Sequence, residues 1–102
     1  YHHVAVANKF DSPAELVYDV VGPICETGDF IAKDRRLPKV SEGDIIVVYD
    51  TGAYGFSMCS NYNARGKPAE VLVHDGQMHL IREAETVDDL VAHQRIPSRL
   101  MI

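Results

Sequence analysis

Two β-rich arms, Glu70-Val71-Leu72-Val73 and the run from Gln77 to Arg82, flank His74-Asp75-Gly76. This feature constrains the fold most. An Asp75-Gly76 step between such arms signals a β-hairpin, because a tight hairpin turn needs residues that tolerate positive φ. The rest of the chain reads in the same register. Residues 4–7 and 16–25 are rich in valine and form two candidate strands, the second interrupted at Gly22-Pro23. Proline has no ladder N–H, so that strand kinks or lies at an edge there. Asp44-Ile45-Ile46-Val47-Val48-Tyr49 is the strongest single strand signal, and its unbroken apolar run predicts cover on both faces. Residues 30–37 mix apolar and charged side chains and are undecided between states. Residues 53–62 predict a short helix or a tight loop of small residues.

One clear helix stands against these strands. Thr86 is placed to cap it, Asp88 and Asp89 suit its first turn, and Val87, Leu90 and Val91 share one face. Pro97 is expected to stop it. About five or six strands with one or two short helices predict a mostly-β fold, a small barrel or sandwich. A chain of 102 residues suits one domain with one modest core. The chain opens on Tyr1 and leads straight into strand-like sequence, so an upstream portion is expected.

Charge and cysteine content narrow the function classes. The formal charge is −5 with no basic cluster, which argues against nucleic acid or anionic membrane as partner. No apolar run approaches the ~18–20 residues of a membrane span. Two cysteines, Cys25 and Cys59, make no disulfide framework, and a reducing cytoplasm is the expected compartment. His2, His3, His74 and His79 lack metal-ligand spacing, so no metal site is expected.

The chemistry concentrates at Pro23-Ile24-Cys25-Glu26-Thr27-Gly28-Asp29. A thiol holds a proton at neutral pH that it can give away, and a neighbouring carboxylate can hold a ligand's ammonium group. Adjacent strand residues point to opposite faces, so the two can converge only where the strand breaks, at Thr27-Gly28. The residues alone also fit a structural thiol beside a surface carboxylate. A second segment, Asp50-Thr51-Gly52-Ala53-Tyr54-Gly55-Phe56-Ser57-Met58, sets Tyr54 near two glycines, where backbone can approach a ligand and a phenol can donate to a phosphate or carboxylate oxygen. It also fits a helix N-terminus packed closely on a sheet, with Tyr54 as an amphipathic residue at the core edge. Cys59 is expected to pack in the core.

Taken in order, these segments resemble the diaminopimelate decarboxylases. Residues 22–29 look like that family's C-E-S-G-D signature, with Thr27 where serine is usual. Residues 50–58 and Ser60-Asn61-Tyr62-Asn63 look like its second signature, and residues 68–73 and 82–86 resemble its ending. The resemblance covers nearly the whole chain. It implies an alanine-racemase-like enzyme using pyridoxal 5'-phosphate, with an N-terminal (β/α)₈ barrel that is absent here. It implies decarboxylation of meso-diaminopimelate to L-lysine by a homodimer whose sites lie at the subunit interface. On that resemblance Cys25 matches the proton donor, Glu26 a substrate-binding carboxylate, and Tyr54 a residue touching both cofactor and substrate.

Loss of CO₂ requires a later protonation at the substrate's Cα, and a thiol can act there as general acid. Glu26 would pair with the substrate's distal ammonium. Lys9, Lys33, Lys39 and Lys67 do not match the family's cofactor-holding lysine, so residues 1–102 alone are expected to be inactive. Two alternatives stay open. One is a related decarboxylase of ornithine, arginine or carboxynorspermidine; the other is a non-catalytic dimerisation domain.

Overall fold

The computed structural model describes residues 2–101. It divides into two compact units, Tyr1–Met58 and Cys59–Ile102. Six strands, one α-helix and three short 3₁₀ helices occur among the described residues. The strands pair as three separate two-stranded antiparallel ladders, and they do not close into a barrel. The mostly-β expectation therefore holds, with open ladders in place of a closed one.

In the first unit, β1 (Val4–Val6) pairs with β4 (Ile46–Val48), register Val4 to Val48 and Val6 to Ile46. Backbone bonds from Ala7 N to Ile45 O (2.7 Å) and Tyr49 N to His3 O (2.8 Å) extend the ladder at both ends. All three β4 residues are half-buried, as an apolar run covered on both faces requires. The strand is shorter than residues 44–49, because Asp44 turns its carboxylate into a polar knot. Its oxygens accept from Lys9 Nζ (2.7 Å), Asn8 Nδ2 (2.8 Å) and Ser41 N (2.8 Å). Lys9 Nζ also donates to Lys39 O (2.7 Å), and Ile45 N donates to Asn8 Oδ1 (3.0 Å). The Lys9 ammonium and the Asn8 amide hold the Asp44 carboxyl down to about 2. The knot pins the 3₁₀ helix Ala7–Lys9 to the approach of β4.

The second ladder of this unit carries the candidate site. It pairs β2 (Leu16–Val21) with β3 (Phe30–Leu37), from Leu16 opposite Leu37 to Val21 opposite Phe30. Two register shifts put extra residues on β3. At the first, Asp34 takes a φ of 54° and donates its N–H to Asp19 Oδ1 (2.9 Å), so the bulge loses no hydrogen bond. These bulges break simple alternation, which is why residues 30–37 were undecidable from sequence. The core of the unit is Val4, Val6, Ala32 and Leu37, with Tyr18, Val20, Ile31, Val40, Ile46 and Val48 packed against it. Tyr18 accepts a hydrogen bond from Val40 N at its hydroxyl (2.9 Å).

In the second unit, β5 (Glu70–His74) and β6 (Gln77–Arg82) form the hairpin that the Asp75-Gly76 step predicts. Asp75 and Gly76 take φ of 49° and 73°, the positive pair that the turn needs. The Glu85 carboxylate gathers Asn61 Nδ2 and Lys67 N, each at 2.7 Å, and those two donors pull its carboxyl below the usual range. Helix α1 (Val87–Val91) opens on a capping box, Thr86 Oγ1 accepting from Asp89 N and Asp89 accepting from Thr86 N. It ends at Val91, six residues before Pro97. None of the described residues of this unit is buried; Cys59, Lys67, Glu70, Glu85 and Leu90 are half-buried.

Candidate functional site

β2 ends at Val21, and Cys25 stands four residues later, on the loop between β2 and β3. This corrects the expectation that the strand itself delivers Cys25 and breaks at Thr27-Gly28. The break comes earlier because Pro23 has no N–H to offer a ladder and Gly22 N bonds to Asp29 O (2.9 Å), closing the neck of a loop.

The loop is held by its own polar groups. Ile24 N donates to Asp29 Oδ2 (2.8 Å), and Asp29 N donates to Glu26 O (3.1 Å). Glu26 N bonds to Ile24 O (2.9 Å), and Phe30 N bonds to Gly28 O (2.9 Å). Ile24 and Asp29 are half-buried, whereas Cys25 and Glu26 are exposed. The two candidate side chains therefore stand on the outer part of a loop whose base is anchored.

Glu26 is not idle in this structure. Its Oε2 accepts a charge-assisted hydrogen bond from Gly28 N. Its Oε1 meets the Thr27 hydroxyl at 3.5 Å, beyond good hydrogen-bond distance. A carboxylate has about four acceptor positions, so Oε1 retains capacity for an incoming cation.

Tyr54 lies on a different segment, the run of turns after β4. There Gly55 N bonds to Thr51 O (2.8 Å) and Met58 N to Tyr54 O (3.2 Å). The segment takes the tight-loop option, not the helical one. Tyr54 has a φ of 78°, an outlier for an aromatic residue, and is 70 % exposed. Gly55 is required: an added Cβ would collide with Thr51 O. Cys59 is half-buried and outside the core of either unit.

Sequence reasoning assigns no role to Asp29. The available signal was an aspartate closing a glycine-containing loop, a position from which its side chain can bond nearby backbone. Among the described residues, no cluster of His, Cys, Asp or Glu could hold a metal ion, and no helix is long and apolar enough to cross a membrane.

Residues 1–52 match the family model described as pyridoxal-dependent decarboxylase, C-terminal sheet domain. The chain belongs to this family. Over 101 residues the chain is 57 % identical to the diaminopimelate decarboxylase of Archaeoglobus fulgidus, covering 99 % of the chain and 24 % of the relative. It is 49 % identical to that of Methanothermobacter thermautotrophicus, with the same two coverages. Among solved structures, it superposes on diaminopimelate decarboxylase from M. jannaschii in complex with L-lysine with a TM-score of 0.87 and 42 % identity, covering 99 % of this chain and 23 % of that one. The Helicobacter pylori enzyme complexed with L-lysine gives 0.77 and 40 %, covering 89 % and 22 %. The chain thus spans about a quarter of the length of the relatives it matches.

Proposed function

We propose that this chain is the C-terminal portion of a pyridoxal-phosphate-dependent diaminopimelate decarboxylase, which makes L-lysine from meso-2,6-diaminopimelate in lysine biosynthesis. The observation that carries the reading is 57 % identity to the A. fulgidus enzyme across 99 % of the chain. The L-lysine complexes of two structural relatives accord with that product. On this reading both compact units, residues 1–102, serve as one C-terminal domain behind an N-terminal barrel. The enzyme is a cytoplasmic homodimer, with Cys25 and Glu26 reaching the neighbouring subunit's site. It acts on a small molecule and engages neither nucleic acid nor membrane.

The residues present suit a supporting role toward the cofactor. Tyr54 is exposed, and its phenol can donate to a phosphate or carboxylate oxygen. On the resemblance, none of Lys9, Lys33, Lys39 and Lys67 matches the family's cofactor-holding lysine. The cofactor-holding lysine would therefore come from the rest of the polypeptide. Pyridoxal phosphate, when bound, supplies the electron sink that makes loss of CO₂ possible. Cys25 then gives its Sγ proton to the substrate's Cα as general acid, and exposure on an anchored loop suits that task. Glu26 holds the distal ammonium through a charge-assisted hydrogen bond, favouring a diamino acid over a monoamino one.

The test is steady-state kinetics of the full-length protein on meso-diaminopimelate, ornithine, arginine and carboxynorspermidine. A kcat/KM clearly highest for diaminopimelate is expected. Preference for ornithine would overturn the reading.

A further inference from the structure

We propose that Asp29 is a positioning residue for the Cys25–Glu26 loop, acting through backbone N–H groups and not through charge on the substrate. The proposal rests on the decarboxylase reading for its kinetic consequence and on the loop geometry for everything else.

Asp29 closes the neck of the loop with both its carbonyl and its carboxylate. Its carbonyl accepts from Gly22 N (2.9 Å), and its carboxylate Oδ2 accepts from Ile24 N (2.8 Å). Pro23 between these two donors has no N–H, so Asp29 takes both of the N–H groups that the 22–24 segment can offer. The carboxylate also fills space. A Cβ built on Gly22 would fall within the Asp29 carboxyl group, so that group lies where a side chain at Gly22 would begin. Gly22 and Asp29 are therefore complementary. The glycine leaves the volume, and the carboxylate occupies it and bonds the next available N–H.

Ile24 is the residue directly before Cys25. Fixing its N–H fixes the direction in which the chain enters the thiol. From the other side, Asp29 N bonds to Glu26 O (3.1 Å) and holds the carbonyl of the proposed ammonium clamp. One residue thus orients both functional positions while remaining half-buried behind them. A proton donor is sensitive to this, since misplacement by about 1 Å costs roughly 10²-fold in rate.

The experiment uses the full-length protein and three variants, Asp29→Ala, Asp29→Asn and Gly22→Ala. Two readouts are taken. One is kcat on diaminopimelate. The other is the rate of Cys25 alkylation by iodoacetamide without substrate, followed on the Cys25 peptide by mass spectrometry. Asp29→Ala is expected to lower kcat roughly 10²-fold and to raise the alkylation rate several-fold as the loop loosens. Asp29→Asn keeps an oxygen acceptor for Ile24 N without the charge, and is expected to restore both readouts to near wild type. Gly22→Ala, which drives a methyl into the carboxylate's place, is expected to reproduce the Asp29→Ala result. Should Asp29→Ala fail to fold, the contrast between Gly22→Ala and Asp29→Asn decides alone. Wild-type alkylation in both Gly22→Ala and Asp29→Ala overturns the proposal, as does an Asp29→Asn variant as impaired as Asp29→Ala. A full-length protein without activity on diaminopimelate would instead sink the decarboxylase reading and leave the alkylation test standing.

Discussion

At the scale of single residues, the candidate groups were legible and their hydrogen-bond surroundings were not. Cys25-Glu26 stood out because a thiol and a carboxylate sit side by side in a loop sequence. Nothing in that pattern foretold that Glu26 Oε2 would already be held by Gly28 N. The bond engages one oxygen of the carboxylate, and Oε1 keeps acceptor capacity. Replacing Glu26 by Gln in the full-length protein keeps an acceptor but removes the charge, so KM for diaminopimelate should rise more than kcat falls. An unaltered KM would contradict the clamp. Cys25→Ala should lower kcat by roughly 10²–10⁴-fold, the usual contribution of a general acid. Turnover unchanged in that variant would favour a purely architectural domain. Tyr54 was legible as a residue between glycines, but its φ of 78° was not, because positive φ at an aromatic position is set by tertiary context and not by propensity.

At the scale of elements, legibility followed the locality of the physics. The β5–β6 hairpin and the Thr86 cap depend on residues within a few positions of one another, and both formed as the sequence predicts. The β3 strand depends on two bulges against β2, and the shortened β4 on Lys9 and Asn8, which lie more than 30 residues from Asp44. Such distant partners leave no periodic trace. The Asp44 knot carries a pH dependence whose sign is fixed. Its carboxyl titrates at about 2 when folded against an ordinary 3.8, so its stabilisation is complete above pH 4 and is lost as pH falls from 4 toward 2. Amide exchange at Ser41 and Ile45, corrected for intrinsic rates, should lose protection across that window. Asp44→Asn should show weaker protection at pH 6 and a flat profile below pH 4; a flat wild-type profile would refute the linkage. The loop closed by Glu85 gives a steric counterpart. A Cβ at Gly66 would lie 2.7 Å from Glu85 O, whereas one at Gly52 meets nothing within 4 Å. Gly66→Ala should therefore destabilise by on the order of 1–3 kcal/mol, and Gly52→Ala should leave the unfolding midpoint unchanged in denaturant titrations.

At the scale of the molecule, the balance of cover decides what these residues can do without the rest of the polypeptide. The first unit has a small core of Val4, Val6, Ala32 and Leu37. In the second, Val71, Leu72, Val73, Met78, Leu80 and Ile81 are each at least half exposed. A two-stranded hairpin is at best marginal in water, and a five-residue helix is far below the ~12–15 residues at which isolated helices begin to persist. The ordering cost of each residue, roughly 1–2 kcal/mol for the backbone, has little buried apolar area in the second unit to offset it. Residues 1–102 expressed alone should therefore show an uneven pattern of amide exchange. The β1–β4 and β2–β3 ladders should retain partial protection, and the β5–β6 amides should exchange nearly as fast as in an unfolded chain. The same preparation should bind a hydrophobic dye such as ANS, since contiguous exposed apolar surface of this extent is unusual on a self-sufficient monomer. If the barrel of the proposed function precedes these residues, the β5–β6 amides of the full-length protein should be protected and the dye signal lost, because that barrel would bring the cover that this unit lacks. Equal protection of β5–β6 in the short and full-length forms would show that the second unit is stable by itself. On the proposed reading, the Cys25–Glu26 loop would then rest on a domain that folds before it meets the barrel.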